Sequence, residues 1–187
     1  MHFLYSLFLI FKTPENWEID NILSLISIIL AIIGGIFAYR QWSIANKTQR
    51  TELINRVIEK LRFDKEIAET MYLIDYGNSW YDEHFHNNSD IEYKIDELFS
   101  FLNYLCYLKK EKCFSKSEYR ILQYEINRVC ASFNTQSYLW NLYHFSRKQG
   151  TVCSFQDMID YGLSKKIIDS REFKNCNSHL YPKYLNF

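Results

Sequence analysis

Residues Asn21 to Arg40 read NILSLISIILAIIGGIFAYR, and the fold of the whole chain turns on this stretch. From Asn21 to Tyr39 it holds no charged side chain. As an α-helix its 19 residues rise about 28 Å, close to the ~30 Å hydrocarbon core of a bilayer. A core helix of a soluble protein is rarely so uniformly apolar for so long. The stretch predicts one transmembrane helix over residues 21–39.

The flanks orient it. Residues 12–20 hold Lys12 against Glu15, Glu18 and Asp20, whereas Arg40, Lys47, Arg50 and Arg56 follow the span. Basic residues next to a span prefer the cytoplasm, and acidic ones count for little. Residues 1–20 are thus expected outside and everything after residue 39 in the cytoplasm. Trp17 at one end, and Tyr39 with Trp42 at the other, stand where interfacial aromatics belong. Arg40, Lys47 and Arg50 are expected to meet anionic headgroups, at roughly 1 kcal/mol each. His2 to Phe11 is apolar but too short to span, with no basic residues before it and no cleavage site after it. It reads as a segment lying in the outer interface or packed against the neighbouring helix, or alternatively re-entering the membrane beside the main helix in an oligomer.

Within the span, Asn21, Ser24, Ser27, Ala31, Gly34, Gly35 and Ala38 recur at steps of three and four, on one side of a helix. Small residues let two backbones approach in lipid, where no hydrophobic drive brings helices together, and serine can bond across. The stripe predicts self-association. A chance run of residues common in spans is the plainer explanation, and a helix seam and the wall of a narrow pore read alike.

The chain beyond the span predicts helices. With 5 Gly and 2 Pro, the sequence has little material for the tight turns of an all-β fold. No Gly or Pro interrupts residues 40–76, so the membrane helix is expected to continue, with Ile54, Val57, Ile58, Leu61, Ile67, Met71 and Ile74 as its apolar stripe and Asp75 to Asn78 as its stop. After a polar loop, WYDEHFHNNSD, a helix is expected to open at Ser89, with Glu92 in capping-box spacing. Ser115 with Glu118 repeats that spacing for a helix to about Phe133. Another runs from near Thr135 to before Gly150; SFQDMIDYGL and SKKIIDSREF suggest two shorter ones. The division expected is 1–20 outside or interfacial, 21–39 transmembrane, 40–174 a cytoplasmic helical bundle and 175–187 an irregular tail. The fold class is all-α, HEPN-like at most by analogy.

Chemistry is sparse. Lys and Arg balance Asp and Glu at 22 each, so no global field draws nucleic acid, and no direct nucleic-acid binding is expected. Five cysteines, without a CxxC pair and all after the span, suit reduced cytosolic thiols better than disulfides or zinc. Asp82-Glu83-His84-Phe85-His86 offers two histidines beside carboxylates, yet reads as a solvated loop rather than a metal site. A HEPN-type ribonuclease needs an Arg and a His four to six residues apart. Arg171 and His179 are separated by seven, and His144 precedes Arg147 in reversed order. No catalytic residue, metal or cofactor is assigned.

Three stretches carry a resemblance: AYRQW with RTELINRVIEKLRFDKEIAETMYLIDYG, then YKIDELFSFLNYL, and a closing FQDMIDYG, together covering about Gly34 to Gly162. The layout resembles small bacterial proteins with one N-terminal membrane helix and a cytoplasmic helical domain. It is similar to membrane effectors of antiphage systems, including the membrane accessory protein of type VI-B CRISPR loci and retron membrane effectors. The resemblance implies a non-enzymatic protein of the bacterial inner membrane that assembles into a ring and permeabilises or depolarises the membrane after infection is sensed. Its implied partners are the lipid bilayer, further copies of the chain, and a defence-system sensor protein or ribonucleoprotein. The Arg/His pair of the CRISPR accessory protein is absent. Two alternatives are a membrane-anchored adaptor binding a protein partner through the bundle, and a membrane-tethered HEPN-type ribonuclease with His84, His86 or His179 as candidates.

Overall fold

The computed structural model describes residues 19–77, 79–87 and 90–187, and among them every regular element is an α-helix. The elements are α1 Ile19–Phe63, α2 Lys65–Tyr76, α3 Asp90–Lys110, α4 Lys116–Ala131, α5 Phe133–Lys148, α6 Gln156–Ser164 and α7 Ser170–Lys174. The chain divides into two compact units, residues 1–49 and 50–187.

The second unit has an apolar core centred on α3. Ile95, Leu98, Phe99, Leu102 and Leu105 recur at helical spacing and are fully buried, as expected of that stripe, although Ile91 at its start is exposed. The stripe is wide enough to meet neighbours on two sides: α6 packs closest, and α2 also lies against it. Ile54, Val57 and Leu61 of α1 enter the same core, as do Ile67, Met71 and Ile74 of α2. From α4 come Tyr119, Leu122, Ile126 and Val129.

The expected single helix through residue 76 breaks once, at Asp64. The Asp64 carboxylate accepts from the backbone N–H groups of Glu66 and Ile67, so it caps a new helix in place of continuing the old one. Gly77 ends α2 in an extended conformation (φ −67°, ψ 127°), not the left-handed one that helix-ending glycines usually adopt. Glycine is needed there for space, because a Cβ would stand 2.2 Å from the Leu73 carbonyl oxygen. Ser89 lies outside the described residues, so its capping role is not placed. The Ser115–Glu118 capping box forms in full: Ser115 Oγ accepts from Glu118 N, and Glu118 Oε2 accepts from Ser115 N at 2.7 Å. Helix α5 starts two residues before the expected Thr135 and is followed by Gly150 at φ +71°. Of SKKIIDSREF, Ser164 ends α6 and Ser170 to Phe173 lie in α7, with Asp169 rather than a serine as the cap.

Some contacts join elements distant in sequence. Phe155 offers no side-chain cap to α6, and Asn103 of α3 takes that part by accepting from Met158 N at 2.9 Å. Gly162 of α6 faces Ile168, whose Cδ1 would lie 2.5 Å from an added Cβ. All five cysteines are free, and burial pushes the Cys130 thiol up to about 12. His144 is buried on α5, its Nε2–H donating to the Phe173 carbonyl at 2.9 Å. Burial lowers its pKa from the ordinary 6.5, outweighing that hydrogen bond, which acts the other way.

This sets a pH dependence. As pH falls through about 6.5 the unfolded chain takes up a proton at residue 144 that the folded chain resists, so stability falls with falling pH. The melting temperature of the helical unit is expected to drop between pH 7.5 and 5.5, and His144→Gln to flatten that drop, both read by circular dichroism.

Candidate functional site

The stretch that carries the expected function is the described part of the first unit, residues 19–49 of α1. Its apolar window has a mean hydropathy of 2.5 with none of it buried, and it is long and apolar enough to cross a membrane. Nine large apolar side chains from Ile22 to Phe37 are exposed, between 42% and 64%. Half-exposed side chains of this size cost about 1 kcal/mol each in water. Their sum, on the order of 10 kcal/mol, rivals the whole stability of a domain. Among the described residues nothing covers this surface.

The small residues fall where the periodicity places them. At about 100° per residue, Asn21, Ser24, Ser27, Ala31, Gly34, Gly35 and Ala38 occupy an arc of roughly 140° of the helix, with Ile28 intruding on the Asn21 side. A Cβ added at Gly34 or Gly35 would meet nothing within 4 Å, unlike one at Gly77 or Gly162. Among the described residues nothing stands in the way of added bulk at either glycine. The Ser27 hydroxyl donates to the Leu23 carbonyl at 2.9 Å, bonded within its own helix. At the far end Tyr39 and Trp42 lie with ring centroids 6.1 Å apart, followed by the exposed Arg40, Lys47 and Arg50. Trp17, Lys12 and His2 to Phe11 lie outside the described residues.

The histidine-bearing loop differs from its solvated reading. Trp80, Tyr81 and Phe85 are buried in the core, and His86 is only partly exposed. His86 links two elements, with Nδ1 3.1 Å from Glu92 Oε1 on α3 and Nε2 3.1 Å from the Tyr81 hydroxyl. Burial drives the Tyr81 pKa up, so the phenol keeps its proton and can donate to Nε2 while Nδ1–H donates to the carboxylate. The ring stacks on Tyr138 (5.8 Å, 25°), whose hydroxyl donates to Asp96. Asp96 is held above the usual carboxylate range, chiefly by burial. One histidine is thus a fastener between loop and helix, whereas His84 points to solvent beside Glu83. Sequence spacing signals neither Asp96 nor Tyr138, which meet across 42 positions.

One cleft among the described residues lies on the second unit. This depression of about 320 Å³ lies between α3 and α6 and is lined by Cys106, Lys109, Lys110, Asp157 and Tyr161 among others. Lys110 pairs with Asp157 at 2.7 Å, and burial raises the Cys106 thiol far from ionisation. Arg171 and His179 are both exposed. Among the described residues no three His, Cys, Asp or Glu gather closely enough to hold a metal ion.

No protein-family model, curated protein or solved structure matches this chain.

The two loop histidines should separate cleanly in stability. His86→Ala is expected to cost about 1–3 kcal/mol by removing the ring that the buried Tyr81 hydroxyl bonds to. His84→Ala should stay within about 0.5 kcal/mol of the unchanged chain, both measured by urea unfolding.

Proposed function

We propose that this chain is a single-span membrane effector of bacterial antiviral defence. It assembles through the span and permeabilises the inner membrane. The observation that carries the reading is the apolar surface of residues 21–39, exposed around the helix and bare of charge. Lipid covers such a surface without any matching partner. The stripe from Ser27 through Ala31 to Gly35 then supplies the contact between copies, because in lipid close backbone approach is what holds helices together. The basic flank of Arg40, Lys47 and Arg50 favours a cytoplasmic helical unit. The defence setting rests on the resemblance to antiphage membrane effectors alone.

The helical unit serves in this reading as the part that meets a trigger, and its interior carries no catalytic arrangement that the function would need. The adaptor reading draws on a different observation. Tyr72, Tyr76 and Tyr124 are exposed on α2 and α4, the first two stacked at 6.0 Å, and such aromatics suit a protein partner.

One pair of substitutions separates the two. Ala31→Ile with Gly35→Ile puts bulk at two exposed positions outside the core of the helical unit, which should melt unchanged. The effector reading expects a discrete oligomer in detergent to collapse to monomer and ion leak from liposomes to fall at least ten-fold. An oligomer and a leak that both survive would remove it, and survival of activity with an unrelated anchor in place of residues 1–39 would favour the adaptor.

A further inference from the structure

Residues 175–187 contain no helix, yet they lie on α5 in the manner of a bound peptide. Asn141 of α5 is fully buried, and its side chain reads the backbone of this segment from both ends of its amide. Its Nδ2 donates to the Pro182 carbonyl at 2.8 Å, while Oδ1 accepts from Tyr184 N at 2.8 Å and Leu185 N at 3.1 Å. The fourth bond of the amide goes to the Ser137 carbonyl within α5, at 2.9 Å. A side chain spent largely on another segment's main chain fixes that segment's path without regard to its sequence.

Sequence enters through a second set of contacts. Tyr181, Tyr184 and Phe187 recur at every third residue, a spacing that neither an α-helix nor a strand repeats. Each meets an aromatic wall. Tyr181 lies 5.6 Å from Trp140, Tyr184 lies 5.0 Å from Tyr81, and Phe187 packs edge-on to Trp140 at 5.1 Å and stacked on His144 at 5.3 Å. Lys148, one turn beyond His144, donates to the Asn186 carbonyl at 3.3 Å. Main-chain bonds that position, with side-chain sites at a fixed interval that select, are the two parts of a peptide-recognition groove.

We infer that this face of α5 is a groove for an extended aromatic-x-x-aromatic-x-x-aromatic segment, and that the partner it fits is residues Tyr181–Phe187 of a second copy. The exposed His179 and Leu180 precede the segment and would serve as its pivot, with the bond from Leu180 N to Ser178 Oγ released. Seven extended residues reach about 23 Å from that pivot. A segment exchanged between copies makes the same bonds in its neighbour's groove as in its own, so exchange costs little, and the high local concentration inside an assembly favours it. The exchange rests on the assembly proposed above; the groove itself does not.

The test supplies the segment from outside. A fluorescent, amidated peptide of residues 178–187 is titrated into the full-length chain and into its Tyr184→Ala/Phe187→Ala variant, whose own segment is weakened. Anisotropy should show the peptide binding the variant at least ten-fold more tightly than the unchanged chain, and Asn141→Ala added to the variant should undo this by at least ten-fold. A variant that keeps its helical circular dichroism and melting but takes up no peptide overturns the inference. If the variant fails to fold, a photoreactive side chain at position 186 decides, in a co-assembled mixture of ¹⁵N-labelled and unlabelled chains. Cross-links to α5 that join the two isotopes uphold the inference, and cross-links confined to one isotope overturn it. Peptide binding by a chain that proves monomeric in detergent upholds the groove and overturns the exchange together with the assembly.

Discussion

An apolar helix surface exposed on all sides must be covered, and the rest of this molecule's organisation follows from that need. Residues 21–39 leave side chains uncovered whose cost in water is comparable to everything that holds a small domain together. Lipid is a cover of the right thickness. A lipid cover would also account for a stretch free of charge that is followed by the aromatic Tyr39 and Trp42 and then by basic residues. The hydrophobic core lies within the second unit, residues 50–187.

Inside that unit the polar chemistry is devoted to joining elements. His86, Asp96, Asn103, Asn141 and His144 each bond across a long sequence separation or to a neighbouring element, and each is at least partly buried. Burial favours the neutral form of three groups in this unit, raising Tyr81 and Asp96 and lowering His144. A catalytic group needs the reverse, a reactive form and a space for substrate beside it.

Much of the fold is legible in the sequence because helices announce themselves locally. The apolar stripe of α3, the capping box at Ser115 and the uncharged span are all visible in short windows. The break at Asp64 is not, because its cause is one carboxylate turning back on two N–H groups, a choice that periodicity cannot register. The aromatic loop misleads for a similar reason. Its charged residues are conspicuous in the sequence, whereas the burial of Trp80, Tyr81 and Phe85 depends on where α3 and α5 lie. For the candidate site, the face of small residues is fully legible, since a single helix fixes it. The docking of residues 181–187 is not, because Asn141 meets them across more than 40 positions and one asparagine in a helix carries no sign of it.

The claim on which the account rests is that lipid covers residues 21–39, and hydrogen exchange of the full chain in lipid nanodiscs tests it most directly. The account predicts that backbone amides of residues 25–38 resist exchange for hours in nanodiscs while those near Lys47 exchange far sooner. Equally slow exchange of residues 25–38 for the chain in water without lipid or detergent would contradict it, because some other part of the protein would then be their cover.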